Sequence, residues 1–220
     1  MQFIQDIIQL IIDRWSFFSE LLIQHISLTL ISVFFITVIG LFLGIVMTRS
    51  ETFAKIVLVL TSFIYTIPSI ALFGFLVIIT GIGNQSAIIA LVIYGLLPII
   101  RNTYVGIMEV DEQIIESAVG MGSTDFQLLI KIQLALALPV IMAGFRTMVV
   151  MTIALGGIAS FIGAGGLGVA IWRGITTNFP EMTMAGSLLV AMLALIADFI
   201  FGRVEVYLRN RILGPTKAST

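Results

Sequence analysis

Five of the twelve acidic residues, Glu109, Asp111, Glu112, Glu116 and Asp125, fall within one short stretch, residues 109–126. The other side chains able to do chemistry are scattered. Arg146 and Asp198 stand alone in apolar surroundings, His25 is the single histidine, and there is no cysteine. Without Cys there is no disulfide, thiolate nucleophile or Cys-held metal. One imidazole gives no metal spacing and no nucleophile–base set, and no carboxylate pair stands at catalytic spacing. No catalytic residue and no metal is therefore assigned. A charged loop in a chain with so few charges points to recognition instead.

The loop has the local signals of two short helices. Asp111 is a suitable N-cap for residues 112–119, with Glu112 and Gln113 in the first turn where negative charge suits the helix dipole. Gly120 and Gly122 supply the turn that follows. Thr124 with Gln127 three residues later matches a capping box opening the next helix. Ile114, Ile115 and Ala118 share one side of the first helix. That apolar strip needs a cover, either the ends of the protein's own long helices or a soluble partner.

The elements that position this loop follow from composition. Apolar residues make up 59 % of the 220 and charged residues 10 %, against about 45–50 % and about 25 % in soluble domains. So few charges exclude a soluble enzyme, and a net charge of -1 offers no general attraction to nucleic acid. An all-α, polytopic membrane protein remains. A bilayer core about 30 Å thick needs roughly 20 apolar residues of helix. Five spans are expected near 22–47, 57–80, 86–103, 137–160 and 184–204, with the turn at Gly81–Ser86 separating the second and third. The continuous apolar runs lack the two-residue alternation of a membrane β-barrel. Placing the N-terminus outside puts eight of the eleven basic residues, including Arg101, Lys131 and Lys217, on the cytoplasmic side. Residues 1–20 carry Ile4, Ile7, Ile8, Ile11, Ile12 and Trp15 at helical spacing, which fits an interfacial amphipathic helix, with a frayed leader of no specific role as the alternative. Residues 211–220 form a short cytoplasmic tail.

Glu116-Ser117-Ala118, three residues, Gly122 and a long apolar stretch with Leu138-Pro139 resemble the EAA loop of binding-protein-dependent ABC importer permeases. That family's motif runs Glu-Ala-Ala, three residues, Gly, nine residues, an apolar residue, one more, then Leu-Pro. Here Ser117 stands for Ala, and Leu134-Ala135 occupies the Leu-Pro position, which leaves the start of the fourth span open. Tyr65-Thr66-Ile67-Pro68-Ser69, Leu97-Pro98 with Arg101-Asn102-Thr103-Tyr104, Gly120-Met121-Gly122 and residues 162–168 are similar to the osmoprotectant branch, the permeases for glycine betaine, carnitine and choline. Methionine permeases, with a similar five-span plan, are the alternative branch.

The resemblance implies a bacterial cell-membrane subunit of type I importer architecture that binds no cofactor itself. Residues 163–168 are glycine-rich but lack the Lys of a phosphate loop, so ATP and magnesium belong to partner ATPase subunits. An extracytoplasmic substrate-binding protein and a second permease subunit, identical or related, complete the expected assembly. Five helices enclose no comfortable pathway alone. The resemblance assigns Glu116, Ser117, Ala118, Gly120 and Gly122 to docking on the ATPase.

Tyr65, Pro68, Tyr94 and Pro98 are candidates for the pathway, with Phe63 and Phe73 as further aromatics. Pro68 and Pro98 are expected to interrupt spans two and three, as static kinks or as hinges. Gly156-Gly157 fits close helix packing. Arg146 and Asp198 are expected to pair, since an unpaired charge in a membrane is costly. His25 is expected as an interfacial hydrogen-bonder. Gly165, Gly166 and Arg173, in the longest outer loop, are candidate contacts for the binding protein. Two other classes predict different sequences. A secondary transporter predicts inverted repeats and further intramembrane carboxylates, and a scaffold predicts no organised loop at 109–126.

Overall fold

The structure is a computed structural model that describes residues 2–214. Met1 and residues 215–220, including Lys217, lie outside the described residues. The chain forms α1 (Gln2–Asp13), α2 (Trp15–Met47), α3 (Glu51–Thr66), α4 (Ser69–Thr80), α5 (Asn84–Met108), α6 (Glu112–Gly120), α7 (Asp125–Leu128), α8 (Leu134–Gly156), α9 (Gly168–Thr176) and α10 (Pro180–Leu213). A π-turn, Leu129–Gln133, joins α7 to α8, and a 3-10 turn, Ala159–Ile162, follows α8. Among the described residues four helices are long and apolar enough to cross a membrane, or five crossings if the bent pair α3–α4 is one.

That bend corrects the reading of 57–80 as a single kinked rod. Pro68 lacks an N–H, and its ring disfavours helical backbone at the residue before it. Ile67 is extended, at φ -69° and ψ 127°, and α4 leaves α3 at 98°. Pro98 behaves differently and does not interrupt its span. It lies inside an unbroken α5, which is packed between α2 and α8. Asn102 Nδ2 donates to the Pro98 carbonyl at 2.8 Å.

The fourth span also differs from 137–160. Helix continues from Asp125 through the π-turn to Gly156. Ala135 lies inside the helix and marks no start, and Pro139 is an interior residue of α8. The expected long outer loop contains a helix, α9, which the high glycine content of residues 163–168 conceals.

Glycine sets the closeness of the central helices. A Cβ at Gly40 would strike the Ile99 side chain, and one at Gly44 would lie 2.6 Å from Thr103 Cβ. The Gly40-x-x-x-Gly44 face of α2 thus lets α5 approach at backbone distance, as small residues do where apolar lipid gives helices no solvent-driven reason to associate. Ile36, Ile99, Ile107, Met148, Val149 and Ile153 fill the centre between α2, α5 and α8. At one end, Ile7 of α1 is buried with Phe18, Leu167, Ala170, Met182 and Ala185, joining α1 to α2, α9 and α10. Ile4, Ile8, Ile12 and Trp15 remain exposed on the other side of α1 and the start of α2.

Candidate functional site

Three places gather the candidate residues. The first is the loop between α5 and α8. Asp111 accepts from the Gln113 amide at 2.8 Å, and Thr124 and Gln127 form a reciprocal capping box. Gly122 has φ +85°. The Gly122 and Ser123 amides turn back to the Val119 and Ala118 carbonyls at 2.9 and 3.0 Å. This is a Schellman closure of α6, which requires left-handed backbone at Gly122. The small residue Ala118 faces inward and is 1 % exposed, so it is not a contact surface; it seats α6 on the protein itself. Ser117 is exposed, and its hydroxyl donates to the Gln113 carbonyl at 2.7 Å. Glu116, Gly120 and Gly122 are exposed. Of the expected apolar strip only Ala118 is fully covered, while Ile114 is exposed. The sequence reading missed the most exposed apolar residues here, Met121 at 81 % and Phe126 at 70 %. They lie in the turn and in the first turn of α7, where helical spacing gives no signal.

The second place is a cleft of about 590 Å³ between α8 and α10, lined by Ala143, Arg146, Thr147, Val150, Met151, Ala154, Asp198 and Glu205. Arg146 Nε and Nη2 donate to Asp198 Oδ1 and Oδ2 at 2.7 and 2.8 Å, a bidentate pair. Arg146 Nη1 also reaches Glu205 Oε2 at 3.2 Å. Gly202 makes room for the guanidinium: a Cβ there would lie 3.0 Å from Arg146 Cζ. Glu205 is the member that sequence reasoning missed. The spacing Asp198, Gly202, Glu205 places all three on one helix face, a signal that was legible.

Met151 links the cleft to an aromatic pair, because Tyr65 donates its hydroxyl to Met151 Sδ at 3.0 Å. Tyr65 meets Tyr94 edge to face with centroids 5.8 Å apart. The Tyr94 hydroxyl donates to the Ile67 carbonyl, the group that Pro68 frees from the helix. Tyr65, Tyr94 and the Pro68 break are thus one cluster, while Pro98 lies a turn further along α5. Phe63 is exposed, and Phe73 is fully buried core.

The third place is the glycine run after α8. Gly166 is buried against His25, with φ +98° and room for a Cβ only 3.1 Å from Nδ1. It faces inward and offers no outer surface. Its amide donates to Gln24 Oε1 at 3.1 Å, and the Gly165 amide donates to Asn84 Oδ1 at 3.1 Å. Arg173 is exposed, with its guanidinium over the Phe17 ring at 5.2 Å. His25 is a hydrogen-bonder inside the helix packing: it is fully buried and donates from Nε2 to the Ile153 carbonyl of α8 at 3.0 Å.

A bundle of broken and long apolar helices, with a charged cleft between two of them and a capped loop at one end, is the architecture of a polytopic membrane protein. Residues 36–213 match the family described as binding-protein-dependent transport system inner membrane component, and the chain belongs to it. Over 190 residues it is 40 % identical to the carnitine transport permease protein OpuCB of Listeria monocytogenes, covering 86 % of this chain and 87 % of that protein. Over 195 residues it is 40 % identical to the glycine betaine/carnitine/choline transport system permease protein OpuCD of Bacillus subtilis, covering 88 % of this chain and 83 % of that protein. The methionine ABC transporter MetNI in an inward-facing conformation superimposes with a TM-score of 0.75, covering 87 % of this chain and 95 % of that one at 24 % identity. At that identity the likeness shows the fold alone.

Proposed function

We propose that this chain is the membrane permease of an ATP-driven importer for a trimethylammonium solute such as glycine betaine, carnitine or choline. The observation that carries the reading is the 40 % identity with such permeases along nearly the whole chain. In this reading the N-terminus lies outside and residues 109–126 face the cytoplasm, as the basic residues favour. ATP and magnesium sit on separate ATPase subunits, which grip the loop through Glu116, Ser117, Gly120, Gly122 and the exposed Met121 and Phe126. Ala118 supports the loop from within. Closure of the ATPase pair moves α6, and the helical continuity from Asp125 to Gly156 carries that movement into the membrane. A second permease copy or relative completes the pathway. An extracytoplasmic binding protein delivers the solute at the α9 end, where Arg173 and Gly165 are candidate contacts.

The test is extraction in mild detergent. An ATP-hydrolysing partner should co-purify, and the assembly with its binding protein should take up labelled betaine, carnitine or choline in preference to methionine. Absence of an ATPase overturns the importer. Methionine uptake alone overturns the substrate class.

A further inference from the structure

The Arg146 cluster holds more negative charge than a helix clamp needs. Asp198 alone neutralises the guanidinium with two hydrogen bonds, yet Glu205 adds a second carboxylate to the same group. One guanidinium and two carboxylates leave a net charge of -1. Arg146 lies ten residues before Gly156, ~15 Å along α8 at a rise of about 1.5 Å per residue. The three side chains are 35 %, 40 % and 23 % exposed, all towards the same cleft. Arg146 and Asp198 lie within the expected fourth and fifth spans and Glu205 one residue past the expected end of the fifth, and charge at that level faces water or a counter-charge rather than hydrocarbon.

From these observations we infer that the cleft between α8 and α10 is a water-filled transit site that takes an organic cation, the trimethylammonium head group. This rests on the import reading above and places that head group on the pathway. The surplus carboxylate supplies the attraction. Arg146 keeps the site from becoming a trap, because it holds Asp198 and shares Glu205. The cleft, at about 590 Å³, has room for the head group with its water. Met151 and the Tyr65 ring beside it offer a polarizable, electron-rich wall suited to a cation without tight hydration.

The chain has no cysteine, so Thr147→Cys puts a single thiol on an exposed residue of the cleft. The full-length variant in native membranes is treated with two methanethiosulfonates, one bearing trimethylammonium and one bearing sulfonate. Each rate is divided by that reagent's rate with a free thiol. The cationic reagent should then react about tenfold faster, the size of a local electrostatic concentration effect. The preference should fall towards unity in Glu205→Gln. It should also fall with rising ionic strength, which decides the matter if that variant does not insert. Tetramethylammonium should slow the labelling relative to sodium at matched ionic strength. No labelling by either reagent would mean a face covered by lipid or protein, and would overturn the site. So would equal corrected rates, or equal labelling in the two salts. Failure of the import reading shows elsewhere, as an absent ATPase, and leaves labelling at Thr147→Cys unchanged.

Discussion

The His25 imidazole of α2 closes the end of α8 by donating from Nε2 to the Ile153 carbonyl, 3.0 Å away. That carbonyl is free because the Gly157 amide tightens onto Ala154 at 3.2 Å. A carbonyl left unpaired in a buried, lipid-surrounded site would be costly. The ring has room because residue 156 is glycine, where a Cβ would lie 3.2 Å from the ring. Gly166 presses on the ring from the other side. One side chain thus ties α2, α8 and the glycine run together.

His25→Ala therefore removes a buried donor and leaves Ile153 unsatisfied, with an expected loss of about 2–3 kcal/mol. The thermal midpoint in detergent should fall clearly. Gly156→Ala should also lower it in the intact protein, by pushing the ring off its carbonyl. In the His25→Ala background Gly156→Ala should cost much less. Additive losses would show that the two residues do not share this contact.

The Arg146–Asp198 relationship gives a second cycle. Asp198→Ala leaves the guanidinium held by Glu205 alone, so folded yield in the membrane should drop. Arg146→Ala leaves two carboxylates facing each other and should be worse. Removing Arg146 and Asp198 together should recover part of the yield. Independence of the two substitutions would mean that the pair does not stabilise the bundle.

At the break of the second span, Tyr94→Phe should remove the donor to the Ile67 carbonyl while keeping the ring that meets Tyr65. An expected cost of about 1 kcal/mol follows from one such bond, read as a small midpoint shift. Tyr65→Phe loses only the contact to Met151 Sδ and should leave the midpoint nearly unchanged. A larger effect from Tyr65→Phe would reverse the assigned importance of the two hydroxyls.

How much of this was legible depends on whether a feature is local. Asp111 and Thr124 announce their helices through caps that act within three residues, and the structure has both. The charges in the apolar runs predict pairing because a membrane permits little else. The two prolines carried the same sequence signal but differ in the fold. Pro68 ends a helix with little packed around it, whereas Pro98 lies between Ile99, Ile100 and Gly95, which α2 and neighbouring side chains clasp. Nothing local distinguishes them. The burial of His25 is non-local in the same way, since it comes from Gly156 and Gly166, far away in sequence.

The loop gives the last prediction. Met121 and Phe126 expose apolar surface at the end of the bundle, with Glu116 beside them on α6. Exposed apolar crests on an otherwise polar loop fit a partner's groove. Met121→Asp and Phe126→Asp should leave membrane insertion and thermal stability intact, because neither side chain is packed. Both should weaken recovery of the ATPase by about tenfold, as loss of a buried interface anchor does. Gly122→Asp should also abolish transport, but by a second route. At φ +85° any side chain strains the Schellman closure, at a cost of about 1–2 kcal/mol. The comparison separates the two causes. Gly122→Ala adds the strain without the charge and should lose part of the coupling. Normal ATPase recovery and uptake in Met121→Asp and Phe126→Asp together would move the docking surface off this loop.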